Sequence, residues 1–148
     1  LVPLTGAAVT VSLTDAPKEG NEEANPDDLV VHQQDLQAVI NAMWRGGAQG
    51  IQVMDQRLIN TSAVRCVGNT LILQGRVYSP PFVITGIGDQ ASIERELETD
   101  DYLRGYQAAV DFFGLGWEQT REPAVTIPAF DGPLNISKAT PLTKENRS

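Results

Sequence analysis

The chain has 148 residues, 41% of them hydrophobic, and a formal net charge of −8. That length and apolar content suit one domain able to close its core without metal or disulfide staples, and a lone cysteine, Cys66, excludes an internal disulfide. Eleven scattered Lys and Arg against nineteen Asp and Glu argue against a nucleic-acid partner and against direct binding to an anionic membrane surface.

Residues 6 to 15, GAAVTVSLTD, alternate Val9, Val11 and Leu13 with polar Thr10 and Ser12, the period of a half-buried strand. From Asp15 to Asp28 come six acids, one lysine, two prolines and one glycine, which predict a long solvated loop. Leu36, Val39, Ile40, Met43 and Trp44 then fall on one face of a helix that Gly46 and Gly47 end. Each large side chain buried from that stripe contributes roughly 1.5–3 kcal/mol before entropy is subtracted.

AQGIQVMD (48 to 55) is a second alternating strand, and residues 61 to 78 read as a hairpin pivoting on Gly68 and Asn69. Prolines 80 and 81 break the run, and FVITGIG (82 to 88) is a strongly apolar strand suited to the middle of a sheet. Asp89 caps a helix over about 90–98, Asp100 or Asp101 restarts it, and Leu103, Tyr106, Val110 and Phe113 keep its period up to the GLG at 114 to 116. AVTIPAF (124 to 130) predicts a last strand with Pro128 at an edge or end.

The order strand, helix, antiparallel strands, helix, strand predicts an α+β fold. Its plan is a mostly antiparallel sheet with helices on one face, close to a ferredoxin-like βαββαβ arrangement with an added hairpin. A single domain over 5–132 is followed by a polar C-terminal tail over 133–148.

The chemistry on offer is sparse. His32 and Asp35 are three residues apart and could share a helix face, but one His and one Cys without ligand spacing do not make a metal centre, and no metal or cofactor is expected. Their bland reading is a polar cluster capping the helix. Cys66 and His32 suffice in number for nucleophilic catalysis, yet Cys66 lies in an alternating strand where a small apolar side chain is the ordinary expectation.

GIGDQA (86 to 91) formally satisfies a dinucleotide fingerprint, but Asp89 stands where a pyrophosphate would approach, and Asp111 falls within a helix rather than at a strand end. Gly86, Gly88 and Asp89 are therefore read as a tight turn that offers an alternative small-ligand site. The acidic loop lacks the alternating ligand pattern of an EF-hand. Asn60 and Asn135 head two glycosylation sequons, which matter only in a eukaryotic secretory setting.

LVVHQQDLQAVINAMWRGGAQGIQV (29 to 53), DQRLINTSAVRCVGNTLILQGRVYSPPFVITGIGD (55 to 89) and AVDFFGLGW (109 to 117) together resemble the bacterial family of unknown function labelled division-initiation proteins, the YlxW-like proteins, especially its actinobacterial members. The resemblance covers about residues 7 to 130. It implies an N-terminal membrane anchor and a coiled-coil stretch outside this chain, with the domain on the extracytoplasmic side of the cell membrane. It supplies no substrate and no catalytic residues.

The reading that follows is a non-enzymatic domain of a membrane-anchored cell-envelope or division-associated protein, acting through a protein partner or by self-association. His32, Gln33, Asp35, Gln56 and Arg57 are its candidate binding surface, because packing alone does not demand those residue types. The rival reading is a small-ligand sensor at the helix–strand junction of Gly86, Gly88 and Asp89, an analogy at the level of fold.

Overall fold

In the computed structural model, residues 2–59 and 64–129 are described. The first strand, β1 (Leu4–Thr14), buries Val9, Val11 and Leu13 completely, as their alternation requires. It pairs antiparallel on one side with β7 (Phe82–Ile87) and on the other with β8 (Gly116–Ile127). Beyond β7 lie β2 (Gly50–Val53) and the two-residue β3 (Gln56–Arg57), giving the order β3-β2-β7-β1-β8. The apolar strand β7 thus occupies the centre of the sheet. Counted along the chain without β3, the long strands stand in the order second, third, first, fourth with all neighbours antiparallel, which is the ferredoxin-like plan.

The added segment is larger than one hairpin. β4 (Val64–Val67), β5 (Thr70–Leu73) and β6 (Arg76–Tyr78) make a separate three-stranded antiparallel sheet between β2 and β7. Its first turn uses Gly68 and Asn69, with Gly68 at φ 60°, as the sequence predicts. The second turn was not legible because it puts Gln74 at φ 54° before Gly75 at φ 78°, and glutamine is an uncommon occupant of that region. Leu71 and Leu73 of β5 point inward and join the main core.

Helix α1 (Gln33–Arg45) buries Leu36, Val39, Ile40 and Met43 against β1 and β7, but Trp44 is 43% exposed. The buried arc turns instead toward Asp35 and Ala42, and Asp35 accepts a hydrogen bond from the hydroxyl of Tyr102 on the third helix. The C-terminal helical run is divided as its acids imply. Asp89 caps α2 (Gln90–Thr99) through the Ser92 amide, and Asp100 caps α3 (Asp101–Phe113) through the Leu103 amide. Gly114, at φ 89°, ends α3.

Two expectations need correction. The last strand begins at Gly116, not at 124: β8 is an edge strand whose middle is exposed, so Glu118 to Glu122 carry no apolar alternation to betray it. Pro123 sits where the register between β1 and β8 shifts, a position that needs no ladder N–H. The acidic loop, for its part, is pinned rather than merely solvated. The Ala16 N–H donates to the Leu29 carbonyl at 2.8 Å, and the Asn21 amide donates to the carbonyls of Pro17 at 2.7 Å and Phe113 at 2.9 Å. A short 3₁₀ turn, Pro26–Leu29, capped by Asn25, closes the loop and buries Leu29. The expected tail over 133–148 and both sequons lie outside the described residues.

Gly46 marks the tightest helix contact. A Cβ there would lie 2.6 Å from the Ile93 Cα and 3.0 Å from the Ser92 carbonyl oxygen, both backbone atoms that cannot swing aside. Gly105, within α3, has nothing within 4 Å of such a Cβ. Gly46→Ala is expected to destabilise the fold by about 2–3 kcal/mol through overpacking, and Gly105→Ala to stabilise it by roughly 0.5–1 kcal/mol through helix propensity; urea unfolding followed by circular dichroism measures both.

Candidate functional site

The start of α1 gathers three of the five candidate surface residues. His32 is the N-cap, its backbone N–H donating to the Asp35 Oδ2 at 2.7 Å, so the carboxylate three residues on closes the helix end. Asp35 is buried, and its Oδ1 accepts from the Tyr102 hydroxyl at 2.8 Å, which ties α1 to α3. The His32 ring lies between two carboxylates, with Nε2 3.1 Å from Asp27 Oδ1 and Nδ1 3.8 Å from Asp35 Oδ2. Gln33 reaches the other way: its Oε1 accepts the Cys66 backbone N–H at 3.3 Å, joining α1 to the outer strand of the small sheet.

The other two lie apart from these. Gln56 is buried in β3 and donates to the Tyr78 hydroxyl at 3.1 Å, while that hydroxyl donates to Asp55 at 2.5 Å. Arg57 donates to the Val2 carbonyl. Gln56 therefore serves packing between the two sheets, and Arg57 fixes the entry to β1. Among the described residues no hydrogen bond links this pair with the His32 group.

The alternative turn is filled by protein. Gly86 lies within β7, where a Cβ would meet Met43 Sδ at 2.8 Å, and a Cβ at Gly88 would meet the Gly47 carbonyl oxygen at 3.1 Å. Asp89 spends its carboxylate on the Ser92 amide, and the Gln90 amide donates to the carbonyls of Ala8 and Glu122. The glycines are there for close packing between helix, strand and turn.

His32, Gln33 and Cys66 do share a groove of about 560 Å³, which Pro26, Asp27, Val30, Gly68 and Asn69 also line. This brings the one histidine and the one cysteine to the same concavity. Burial raises the Cys66 thiol above its ordinary range, and the negative charges of Asp35 and Asp15 raise it further, so the nucleophilic thiolate is disfavoured at neutral pH. His32 meanwhile contacts Asp27 rather than the thiol. Among the described residues no group of three or more His, Cys, Asp or Glu is placed to hold a metal ion. Sequence reasoning missed Asp27 and Tyr102, the partners of His32 and Asp35. The i, i+3 spacing of His32 and Asp35 was the visible signal; the contact with Tyr102 spans 67 positions and left none.

The profile of a family described as "Bacterial protein of unknown function (DUF881)" matches residues 1–140. The chain is 32% identical over 88 residues to the UPF0749 protein YlxW of Bacillus subtilis, covering 60% of this chain and 38% of that protein. It is 21% identical over 133 residues to the UPF0749 protein Rv1823 of Mycobacterium tuberculosis, covering 86% of this chain and 43% of that one. The chain thus spans well under half the length of these curated relatives. A crystal structure of an uncharacterized conserved protein from Mycobacterium tuberculosis superposes with a TM-score of 0.69 at 24% identity, over 95% of this chain and 92% of that one. That likeness establishes the shared fold.

The Tyr102–Asp35 bond has a signature in pH. Burial, and then the bond to Asp35, push the Tyr102 phenol well above its ordinary value of 10.0, and burial does the same to Tyr106. Below that ordinary value both folded and unfolded phenols are protonated, so the stabilisation is fully present; as pH rises past it the unfolded chain loses its protons first, and the stabilisation is lost. Unfolding free energy from urea titrations is expected to fall above pH ~10. Tyr102→Phe is expected to flatten that fall and to cost about 1–3 kcal/mol at neutral pH, because the buried Asp35 oxygen loses its donor.

Proposed function

The chain belongs to this family of bacterial proteins of unknown function, and from that premise we propose that it is a non-enzymatic interaction domain of a membrane-anchored cell-envelope or division-associated protein. It faces the extracytoplasmic side, tethered by a segment outside these 148 residues, and works by contact with a protein partner or by self-association. None of the described helices is long and apolar enough to cross a membrane.

The observation that carries the reading is the state of the His32 and Cys66 groove. It is open and of mixed polarity, formed by the helix start, the acidic loop and the hairpin tip, and burial raises its thiol above the ordinary range while its imidazole faces Asp27. A groove assembled from a helix cap and a turn, with its nucleophile suppressed, suits recognition better than bond cleavage. The family resemblance in the HQQDL and CVGN segments falls on the same two walls.

Iodoacetamide labelling followed by mass spectrometry is expected to modify Cys66 slowly at neutral pH, with His32→Ala leaving the rate unchanged. Fast labelling that depends on His32 would overturn the non-enzymatic reading. Crosslinking of the tagged full-length protein in membranes is expected to trap one partner or a second copy. A variant carrying His32→Ala and Gln33→Ala, confirmed as folded, is expected to lose that product; equal yields from both proteins remove the groove from the contact.

A further inference from the structure

A second hollow, of about 570 Å³, lies beneath the acidic loop and meets the His32 groove at Pro26, Val30 and Asn69, which line both. Together they form one furrow between the loop and the tip of the β4–β5 hairpin. Its floor is apolar: Ala16 and Leu29 are buried there, and Ala24 and Val30 are half-buried. Its walls carry Asp15, Glu22 and Asp27 against one lysine, Lys18.

These acids are fixed in place. Asp15 Oδ1 accepts the Val31 N–H at 2.9 Å, Glu22 Oε2 accepts the Gly20 N–H at 3.1 Å, and Asp27 meets the His32 ring. Backbone hydrogen bonds hold the Glu22 carboxyl below its ordinary range. Both hollows are open to solvent, and Asn69 at the hairpin tip offers an amide that can both donate to and accept from a peptide backbone.

We propose that this furrow holds an extended segment of a partner protein in which basic side chains flank an apolar one. The inference rests on the interaction-domain reading and names the partner's chemistry. The apolar side chain seats over Ala24, Leu29 and Val30, and the flanking cations face Asp15, Glu22 and Asp27. Charge complementarity selects this occupant: an acidic segment meets the same three carboxylates, and a second copy of the chain brings a net charge of −8 of its own.

Fluorescence anisotropy on the purified domain tests it with two labelled peptides, one alternating arginine with leucine and one with glutamate in place of arginine. The arginine peptide is expected to bind and to weaken as ionic strength rises from about 0.05 M to about 0.5 M, while the glutamate peptide does not bind. Glu22→Lys with Asp27→Lys, two exposed positions, is expected to weaken the arginine peptide at least tenfold. Glu98→Lys with Glu118→Lys, an equal change of charge on α2 and β8, is expected to leave it within about twofold, by the additivity of distant sites.

Equal binding of both peptides, equal loss in both double variants, or no binding of the arginine peptide overturns the proposal. Val30→Lys separates floor from walls and is also expected to abolish binding, with circular dichroism confirming the fold. A domain that gives a crosslinked product in membranes yet ignores the arginine peptide would retain the interaction reading and lose the furrow. Peptide binding without any crosslinked product would do the reverse.

Discussion

Helix α1 lies close against the centre of the sheet because residue 86 of β7 has no side chain. A Cβ on Gly86 would stand 2.8 Å from the Met43 sulfur and 3.4 Å from the Met43 Cβ. Met43 therefore settles directly over β7, and Ile40 and Val39 join the same buried core as the inward side chains of β1 and β7. Both ends of α1 follow from that placement. Its C-terminal Gly46 reaches the first turn of α2, and its N-terminal Asp35 comes within reach of Tyr102 on α3. The position of His32 and Gln33, and hence of the groove, is inherited from a packing contact in the middle of the sheet.

What could be read from the sequence was whatever repeats at short range. The alternation of Val9, Val11 and Leu13, the stripe from Leu36 to Met43, and the caps Asp89 and Asp100 are each local signals, and each appears as an element or a cap of the fold. Trp44 was misplaced because a periodic stripe does not mark where the buried face ends, and here that face takes in Asp35 and Ala42 instead. The start of β8 was missed for the opposite reason: an edge strand with an exposed middle needs no apolar alternation there, because the backbone ladder with β1 sets its pairing through that stretch.

The site was legible only in part. Spacing placed His32, Gln33 and Asp35 together, since they share one turn of helix. Nothing local joined Gln33 to Cys66, 33 positions away, or closed the acidic loop onto the hairpin tip. The absence of apolar residues in that loop argued for solvation, yet two side chains suffice to hold it: Ala16 and Leu29 are buried, and polar anchors at Asp15 and Asn21 do the rest. Loops pinned by side-chain to backbone bonds lack the periodicity on which sequence reading depends.

The edge formed by β8 has a further consequence for copies of this protein crowded together. A twelve-residue edge strand, paired with β1 on one side only, would ordinarily serve as a template for zipping chains side by side into aggregates. Here the exposed stretch is broken by Glu118, Arg121 and Glu122, by the missing N–H of Pro123 and by the register shift beside it. A strand so interrupted can be long enough to hold β1 in place while offering a neighbouring copy no unbroken ladder to extend.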